Sequence, residues 1–312
     1  MTAFDASDWR EHGLIYDLNA PARGVRHSKL LTHASNPTAV HIQGDRYRVF
    51  YSGRDSENRS SIGAVDFDFS TFEIVADHKE PFAVFGPVGS FDHAGIGLGC
   101  ELVRADGRHL CYMAWQTEGL QHWRGDIGVI RLSDELFPLE NERGILLNAE
   151  GVDPISLSYP CIRQNERGYD MWYGSTETWQ TANGEMLHTI NHAFSTDGIH
   201  WTRTGCAVPY TLGEAQAFSR PTVWQDSRSV LHMWYSYRDG TGTPYRIGHA
   251  QRSDSRTWAR DHDQMMPPLY CSQWDTQMAC YPFVFEHNKR LIMLYNGDDF
   301  GKFGFGAFSI EL

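Results

Sequence analysis

Tyr281-Pro282-Phe283-Val284, a polar turn, and then Leu291-Ile292-Met293-Leu294-Tyr295 form the stretch that decides the fold. Two short runs of aromatic and branched residues flank the turn, so the stretch predicts a β-hairpin opened by Pro and closed by an aromatic. The pattern recurs. Asn36-Pro37-Thr38-Ala39-Val40 precedes Tyr47-Arg48-Val49-Phe50-Tyr51, and Tyr159-Pro160-Cys161-Ile162 precedes Tyr169-Asp170-Met171-Trp172-Tyr173. Arg220-Pro221-Thr222-Val223 precedes Leu231-His232-Met233-Trp234-Tyr235. A copy without Pro reads Cys100-Glu101-Leu102-Val103, then Leu110-Cys111-Tyr112-Met113-Ala114-Trp115. The closing aromatics Tyr51, Trp115, Tyr173, Tyr235 and Tyr295 stand 64, 58, 62 and 60 residues apart.

Each copy continues into a third strand with a small residue near its start, such as Ser61-Ile62-Gly63 or Arg246-Ile247-Gly248. A weaker fourth strand follows in all but the last copy. No stretch carries long helical periodicity. Four-stranded units repeated radially make a β-propeller. The expectation is therefore an all-β chain, one five-bladed β-propeller domain over residues 1–312. The last unit stops at three strands and Gly13–Leu18 is an orphan strand, so the N-terminal strand is expected to complete the last blade and leave no open edge.

Of the 312 residues, 41% are apolar and 21% charged, enough to bury a sizeable core. The net charge of -12 disfavours nucleic acid and anionic membranes as partners. No apolar run approaches the length of a membrane span. The first residues, Met1-Thr2-Ala3-Phe4-Asp5, lack the features of a secretory signal. The cysteines Cys100, Cys111, Cys161, Cys206, Cys271 and Cys280 form no CxxC pair and no zinc spacing, so reduced thiols, a cytoplasmic location and no metal or cofactor are expected.

Asn36-Pro37, Tyr51-Ser52-Gly53-Arg54, Ser61-Ile62-Gly63 and the turn Ser195-Thr196-Asp197-Gly198-Ile199-His200-Trp201 resemble the five-bladed propeller glycosidases, a superfamily that includes glycoside hydrolase families 32, 43, 117 and 130. The resemblance covers nearly the whole chain. It implies a carbohydrate-active enzyme, a hydrolase or phosphorylase, with a small carbohydrate as substrate. Many of these families place an acid before the Pro of the first inner strand, where this chain has Asn36; the equivalent positions hold Tyr159, Arg220 and Tyr281. The Asn-Pro opening is more like family 130, but that family's Glu-Asp-Pro-Arg segment is missing, with only Gly99-Cys100-Glu101 near it.

Ligand pockets of propellers lie at one end of the channel, among inner-strand starts and loops between second and third strands. Asp55, Glu177, Asp239 and Asp299 each lie four residues beyond a closing aromatic and form a candidate carboxylate ring, or else tie down their own turns. Glu101 breaks the repeat on an inner strand, where burial would suit it to general acid work. Glycoside cleavage needs two carboxylates. The catalytic candidates are therefore Glu101 and Glu177 as acids, with Asp55 and Asp239 as base or positioning groups. Arg54, Arg220 and Arg238 are candidates to grip an anionic or phosphorylated group. Asn36, Asp92, His93, Tyr159, Trp179, Tyr237 and Asp298 complete the expected substrate contacts, with Trp123 as a further stacking surface. His188, His192 and His249 read as structural. A binding or otherwise non-hydrolytic propeller that has lost its base, or one acting on a nucleotide-linked sugar, is the alternative.

Overall fold

The structure, a computed structural model, describes residues 6–312 except 22, 23, 118, 120, 121, 254–256, 262–264 and 271. It is all-β. An N-terminal strand, β1 (Arg10–Asp17), precedes a series of antiparallel meanders. The first comprises β2 (Thr32–Gln43), β3 (Arg46–Arg54), β4 (Ser60–Asp68) and β5 (Glu73–Asp77). The next comprises β6 (Gly95–Arg104), β7 (Gly107–Gln116), β8 (Arg124–Leu132) and β9 (Pro138–Leu147), and a parallel bridge from Ser60 to Gly95 links the two. Then come β10 (Leu157–Asn165), β11 (Gly168–Thr178), β12 (Leu187–Ser195) and β13 (Thr202–Cys206). They are followed by β14 (Ser219–Gln225), β15 (Leu231–Tyr237), β16 (Arg246–Arg252) and β17 (Ala259–Arg260). The chain ends with β18 (Cys280–His287), β19 (Arg290–Asn296) and β20 (Gly304–Glu311). Strand β1 pairs antiparallel with β20, with Arg10 opposite Ser309 and Asp17 opposite Gly304, as expected for the orphan strand.

The core lies in seams between consecutive meanders. Val40, Phe50, Ile96 and Leu110 fill one, and Trp172, Phe218, Met233 and Trp258 another. Tyr16, Tyr51, Leu294 and Phe305 join the last meander to the first. The first strands β2, β6, β10, β14 and β18 touch one another in that order, and β18 also touches β2.

Every first strand breaks register at the same place. The breaks fall between Ser35 and Thr38, Leu98 and Cys100, Ser158 and Cys161, Ser219 and Thr222, and Cys280 and Phe283. In the four copies with Pro, the residue before it has positive φ: Asn36 (56°), Tyr159 (31°), Arg220 (48°) and Tyr281 (55°). A bulge suits Pro, which has no N–H to lose from the ladder. The copy without Pro has Gly99, where a Cβ would sit 2.4 Å from the Pro160 carbonyl oxygen. Neighbouring meanders take up N–H groups at the bulges: Leu98 N–H donates to Ser52 Oγ (3.1 Å), Tyr281 N–H to Ser236 Oγ (2.7 Å) and Asn36 N–H to Asn296 Oδ1 (2.8 Å).

The register also corrects the repeat. Tyr51 faces Gly63 across the strands, and Tyr112, not Trp115, faces Gly128 in the same way. A Cβ on either glycine would penetrate the tyrosine ring, at 2.4 and 2.5 Å. With Tyr112 in place, the closing tyrosines are 61, 61, 62 and 60 residues apart. Three of them donate to a carboxylate 20 residues upstream: Tyr112 to Asp92 (3.5 Å), Tyr173 to Asp153 (2.8 Å) and Tyr295 to Asp275 (3.0 Å). Asp92, expected as a substrate contact, is one copy of this repeated clamp and pairs also with Arg143 at 2.9 Å. The Ser195–Trp201 turn is tied by Asp197 Oδ1, which accepts from Ile199 N–H and His200 N–H. Five described cysteines are free, four of them buried; Cys271 lies outside the described residues. No helix among the described residues is long and apolar enough to cross a membrane.

Arg220, expected to grip substrate, is instead 1% exposed. Its Nε donates to Leu98 O (3.2 Å), Nη1 to Tyr281 O (3.0 Å) and Pro282 O (2.8 Å), and Nη2 to Pro37 O (2.8 Å) and Thr38 Oγ1 (2.9 Å). Burial lowers its pKa from 12.5 to about 10. One guanidinium therefore ties β14 to β2, β6 and β18. Charged hydrogen bonds contribute about 1.5–3 kcal/mol each, so Arg220→Met should lower the unfolding free energy by about 3 kcal/mol or more. Urea denaturation at constant m-value measures this, and a loss below about 1 kcal/mol would show that the carbonyls do without it.

Candidate functional site

Strand alternation decides which residues share a face. The position three beyond each closing tyrosine lies on the opposite face of a strand from the position four beyond it. The three-beyond residues are Arg54, Trp115, Thr176, Arg238 and Asp298. Arg54, Trp115 and Arg238 line a cavity of about 280 Å³. Its wall is completed by Ser158, Tyr159, Ser219 and Tyr281 at the bulges, by His188 and Tyr245 at the starts of third strands, and by Met113, Trp123, Met186, Phe218 and Phe300. Among the described residues, none of this lining is a carboxylate.

The two arginines differ. Arg238 pairs with Glu185 through two contacts of 2.9 Å, and the Glu185 side chain is only 4% exposed. Arg54 donates to Asn58 Oδ1 at 2.9 Å and has no carboxylate partner among the described residues. Its neighbour Asp55 is taken by Arg59 (2.9 Å) and Lys29 (3.5 Å). Burial raises the pKa of Tyr159, pushes Tyr245 up to about 12, and raises Tyr281 well above the ordinary phenol. The rings of Tyr159 and Tyr281 lie 5.4 Å apart. Buried His188 is held neutral, its pKa lowered from 6.5 to about 3 by burial and secondarily by Arg238. Phe300 contributes from a turn in which Asp299 and Phe300 both have positive φ, and Ser35 Oγ donates to its carbonyl.

Of the expected site residues, Arg54, Tyr159 and Arg238 line the cavity, as does Trp123. The others lie elsewhere. The Asp55 carboxylate accepts from Glu57 N–H and Arg59 N–H, and these bonds with Arg59 hold its pKa low against burial. Asp239 pairs with Arg246. Glu177 is exposed and lies 3.5 Å from Thr189 Oγ1. Glu101 pairs with Arg108, on the stretch of β6 that leads away from the cavity. Asp298 accepts from Gln277 N–H (2.8 Å) and Met278 N–H (2.7 Å). His93 is bonded to Ser90 O. Trp179 packs edge-on against Trp123, 4.8 Å between ring centres, behind the lining. Tyr237 lies under Arg246. Asn36 is 2% exposed, and its Nδ2 has no hydrogen-bond partner among the described residues. The sequence reading missed Trp115 as wall, Ser158, His188, Tyr245, Phe300 and the buried Glu185. Correct alignment on Tyr112 would have found Trp115 in step with Arg54 and Arg238.

No protein-family model matches the chain. Two proteins of Mycobacterium tuberculosis, from strains CDC 1551 and H37Rv and each described as uncharacterized, are 36% identical over 306 residues, covering 97% of this chain and 99% of theirs. The chain belongs to their family. Among solved structures, sucrose-6-phosphate hydrolase from Lactobacillus gasseri superposes with a TM-score of 0.68 at 9% identity, over 93% of this chain and 61% of that one. A structure from the GH130 family of mannoside phosphorylases, which contains hydrolases of β-1,2 mannosidic linkages in Candida mannan, gives 0.61 at 14% identity, over 97% and 94%. A glycosyl hydrolase from Bacteroides ovatus gives 0.59 at 12% identity, over 97% and 94%. At these identities the likeness is one of fold: the chain has the fold of the propeller glycosidases.

The buried imidazole has a thermodynamic signature. Between pH 3 and 6.5 the unfolded chain holds a proton at His188 that the folded chain does not. The stability that this neutral histidine contributes is full above pH 6.5 and is lost as pH falls toward 3. His188→Gln should flatten the stability–pH curve in that window by up to about 1.4 kcal/mol per pH unit. Urea unfolding of both proteins at pH 7 and pH 5 tests this; parallel dependences would refute it.

Proposed function

We propose that the chain is a carbohydrate-active enzyme, a glycoside hydrolase or phosphorylase, that binds a small anionic or phosphorylated glycoside in this cavity. Its meanders are read as one closed five-bladed propeller domain over residues 1–312. What supports that architecture is the circular order of contacts among β2, β6, β10, β14 and β18 and the pairing of β1 with β20. A cytoplasmic location belongs to the same proposal, and the five free thiols fit a reducing compartment.

One observation carries the substrate class. A guanidinium without a carboxylate partner among the described residues, Arg54, lines a cavity of aromatic rings and hydroxyls. Aromatic faces suit the C–H patches of a pyranose or furanose. Arg54 and Arg238 suit a phosphate or carboxylate, which guanidinium binds bidentately. Cleavage by two acids needs carboxylates flanking the bond, roughly 6.5–9.5 Å apart for inversion. Glu185, held against Arg238, is the carboxylate in contact with the lining. An anionic ligand that drew Arg238 away would free Glu185 as a proton donor, with attacking phosphate or water as the second partner.

The second reading, a propeller that binds or transforms a sugar without the paired acids, is favoured by a lining without a carboxylate among the described residues and by Asn36 at the place of the usual base. Proton NMR with hexose phosphates and the same unphosphorylated hexoses, with and without inorganic phosphate, separates the two. Phosphorylated sugars should bind at least about tenfold tighter than neutral ones, and Arg54→Gln should remove that preference. Turnover lost in Glu185→Gln supports the enzyme, and binding without turnover supports the second reading. Equal binding of neutral and phosphorylated sugars, unchanged in Arg54→Gln, would overturn the anionic-ligand assignment.

A further inference from the structure

The third strands carry a departure from the repeat that the glycoside reading leaves unused. At the register of Arg54 opposite Ser60 and Trp115 opposite Gly125, Thr176 stands opposite His188. Ser158 Oγ lies 2.7 Å from His188 Nε2, and Thr176 Oγ1 lies 2.8 Å from Nδ1. Both Ser158 and His188 line the cavity. The residue after the closing tyrosine is Ser52, Met113, Ser236 or Asn296 in the other copies, but Gly174 here. A Cβ on Gly174 would sit 2.1 Å from Ser158 Oγ and 2.3 Å from His188 Nε2. Gly174 does not have positive φ, so space and not backbone conformation requires glycine. The chain makes room for this one contact.

A neutral imidazole has one donor and one acceptor nitrogen. With Nδ1–H donating to Thr176, Nε2 is left to accept from the Ser158 hydroxyl; burial disfavours the imidazolium that proton transfer would form, so that cation depends on the negative charge developing beside it on the bound ester. Trp115 also lines the cavity, and its covered Nε1–H has no hydrogen-bond partner among the described residues. The geometry points to Ser158 as a nucleophile, with His188 as its general base and Thr176 as the residue that positions the imidazole, and so to hydrolysis of an acyl ester on a sugar bound in the cavity. The identity of the ester as a sugar ester rests on the proposed function; the nucleophile does not.

The step balances with water as co-substrate. Ser158 Oγ bonds to the acyl carbon as its proton passes to His188 Nε2. The Arg54 guanidinium, on the same cavity wall, is a donor available to the oxyanion. The carbon–oxygen bond to the sugar breaks, and the sugar oxygen takes the proton from Nε2. Water, deprotonated by Nε2, then releases the carboxylic acid and restores Ser158.

An alkyl fluorophosphonate, incubated with the whole chain, reads the assignment by mass. One adduct per chain, formed with loss of fluoride and mapped to Ser158, is expected. Ser158→Ala should give none, and His188→Gln should slow labelling by about a hundredfold or more. Thr176→Val should slow it less. A serine hydroxyl that merely satisfied a buried histidine would form no adduct. No labelling of the native chain, or an adduct at another residue, overturns the inference. Mapping uses the native chain, so the outcome does not depend on how the variants fold. Failure of hexose phosphates to bind would remove the sugar from the assignment and leave the serine reading standing.

Discussion

Five N–H donors of one guanidinium meet five oxygens from three other first strands, and the centre of the molecule depends on that match. The bulges turn backbone carbonyls of Pro37, Leu98, Tyr281 and Pro282 out of their ladders, where each would otherwise be buried without a partner. Arg220, itself at a bulge, collects them with Thr38 Oγ1. Lysine, with three donors and a point charge, cannot make the set. The same count leaves Arg220 no spare N–H for a substrate: every one is already used. An arginine near a channel axis suggests an anion site in a sequence, and only donor accounting shows it to be part of the frame.

The strands were legible because they are short, rich in aromatic and branched residues, and punctuated by Pro and polar turns. The register within them was less so. Two aromatics, Tyr112 and Trp115, compete for one role, and aromatic character alone does not separate them. What separates them is the glycine that must stand across from the ring and the aspartate 20 residues upstream. That three-residue slip mattered because side chains alternate along a strand. Asp55, Glu177 and Asp239 recur at matching positions, but on the face where they clamp loops or meet solvent.

Departures from the repeat were the right place to look, and Glu101 shows why a departure alone is insufficient. Its side chain meets Arg108 near the far turn of its hairpin. The informative departures occur together, on different strands and at one point in space: Ser158, Gly174 and His188. Their sequence separation hides the contact, because only the packing of β10, β11 and β12 brings them within hydrogen-bond reach. The same holds for Tyr245, Phe300 and Glu185, which join the site through the arrangement of meanders rather than through a motif.

Net charge misdescribes this cavity. The chain carries -12, yet its acids are occupied near the site: Asp55 by Arg59, Asp239 by Arg246, Glu185 by Arg238, and Asp92, Asp153 and Asp275 by tyrosines. Among the described residues, what remains on the cavity wall is the guanidinium of Arg54 with neutral phenols, indoles and an imidazole held uncharged by burial. An anion about 4 Å from such a cation gains about 4 kcal/mol at an effective dielectric constant near 20, several times the gain in bulk water. Repulsion from acids on the outer surface is screened over roughly 8–10 Å at ordinary ionic strength. The sign of the nearest unpaired group therefore outweighs the sum over the chain, and an acidic protein can present a site selective for anions.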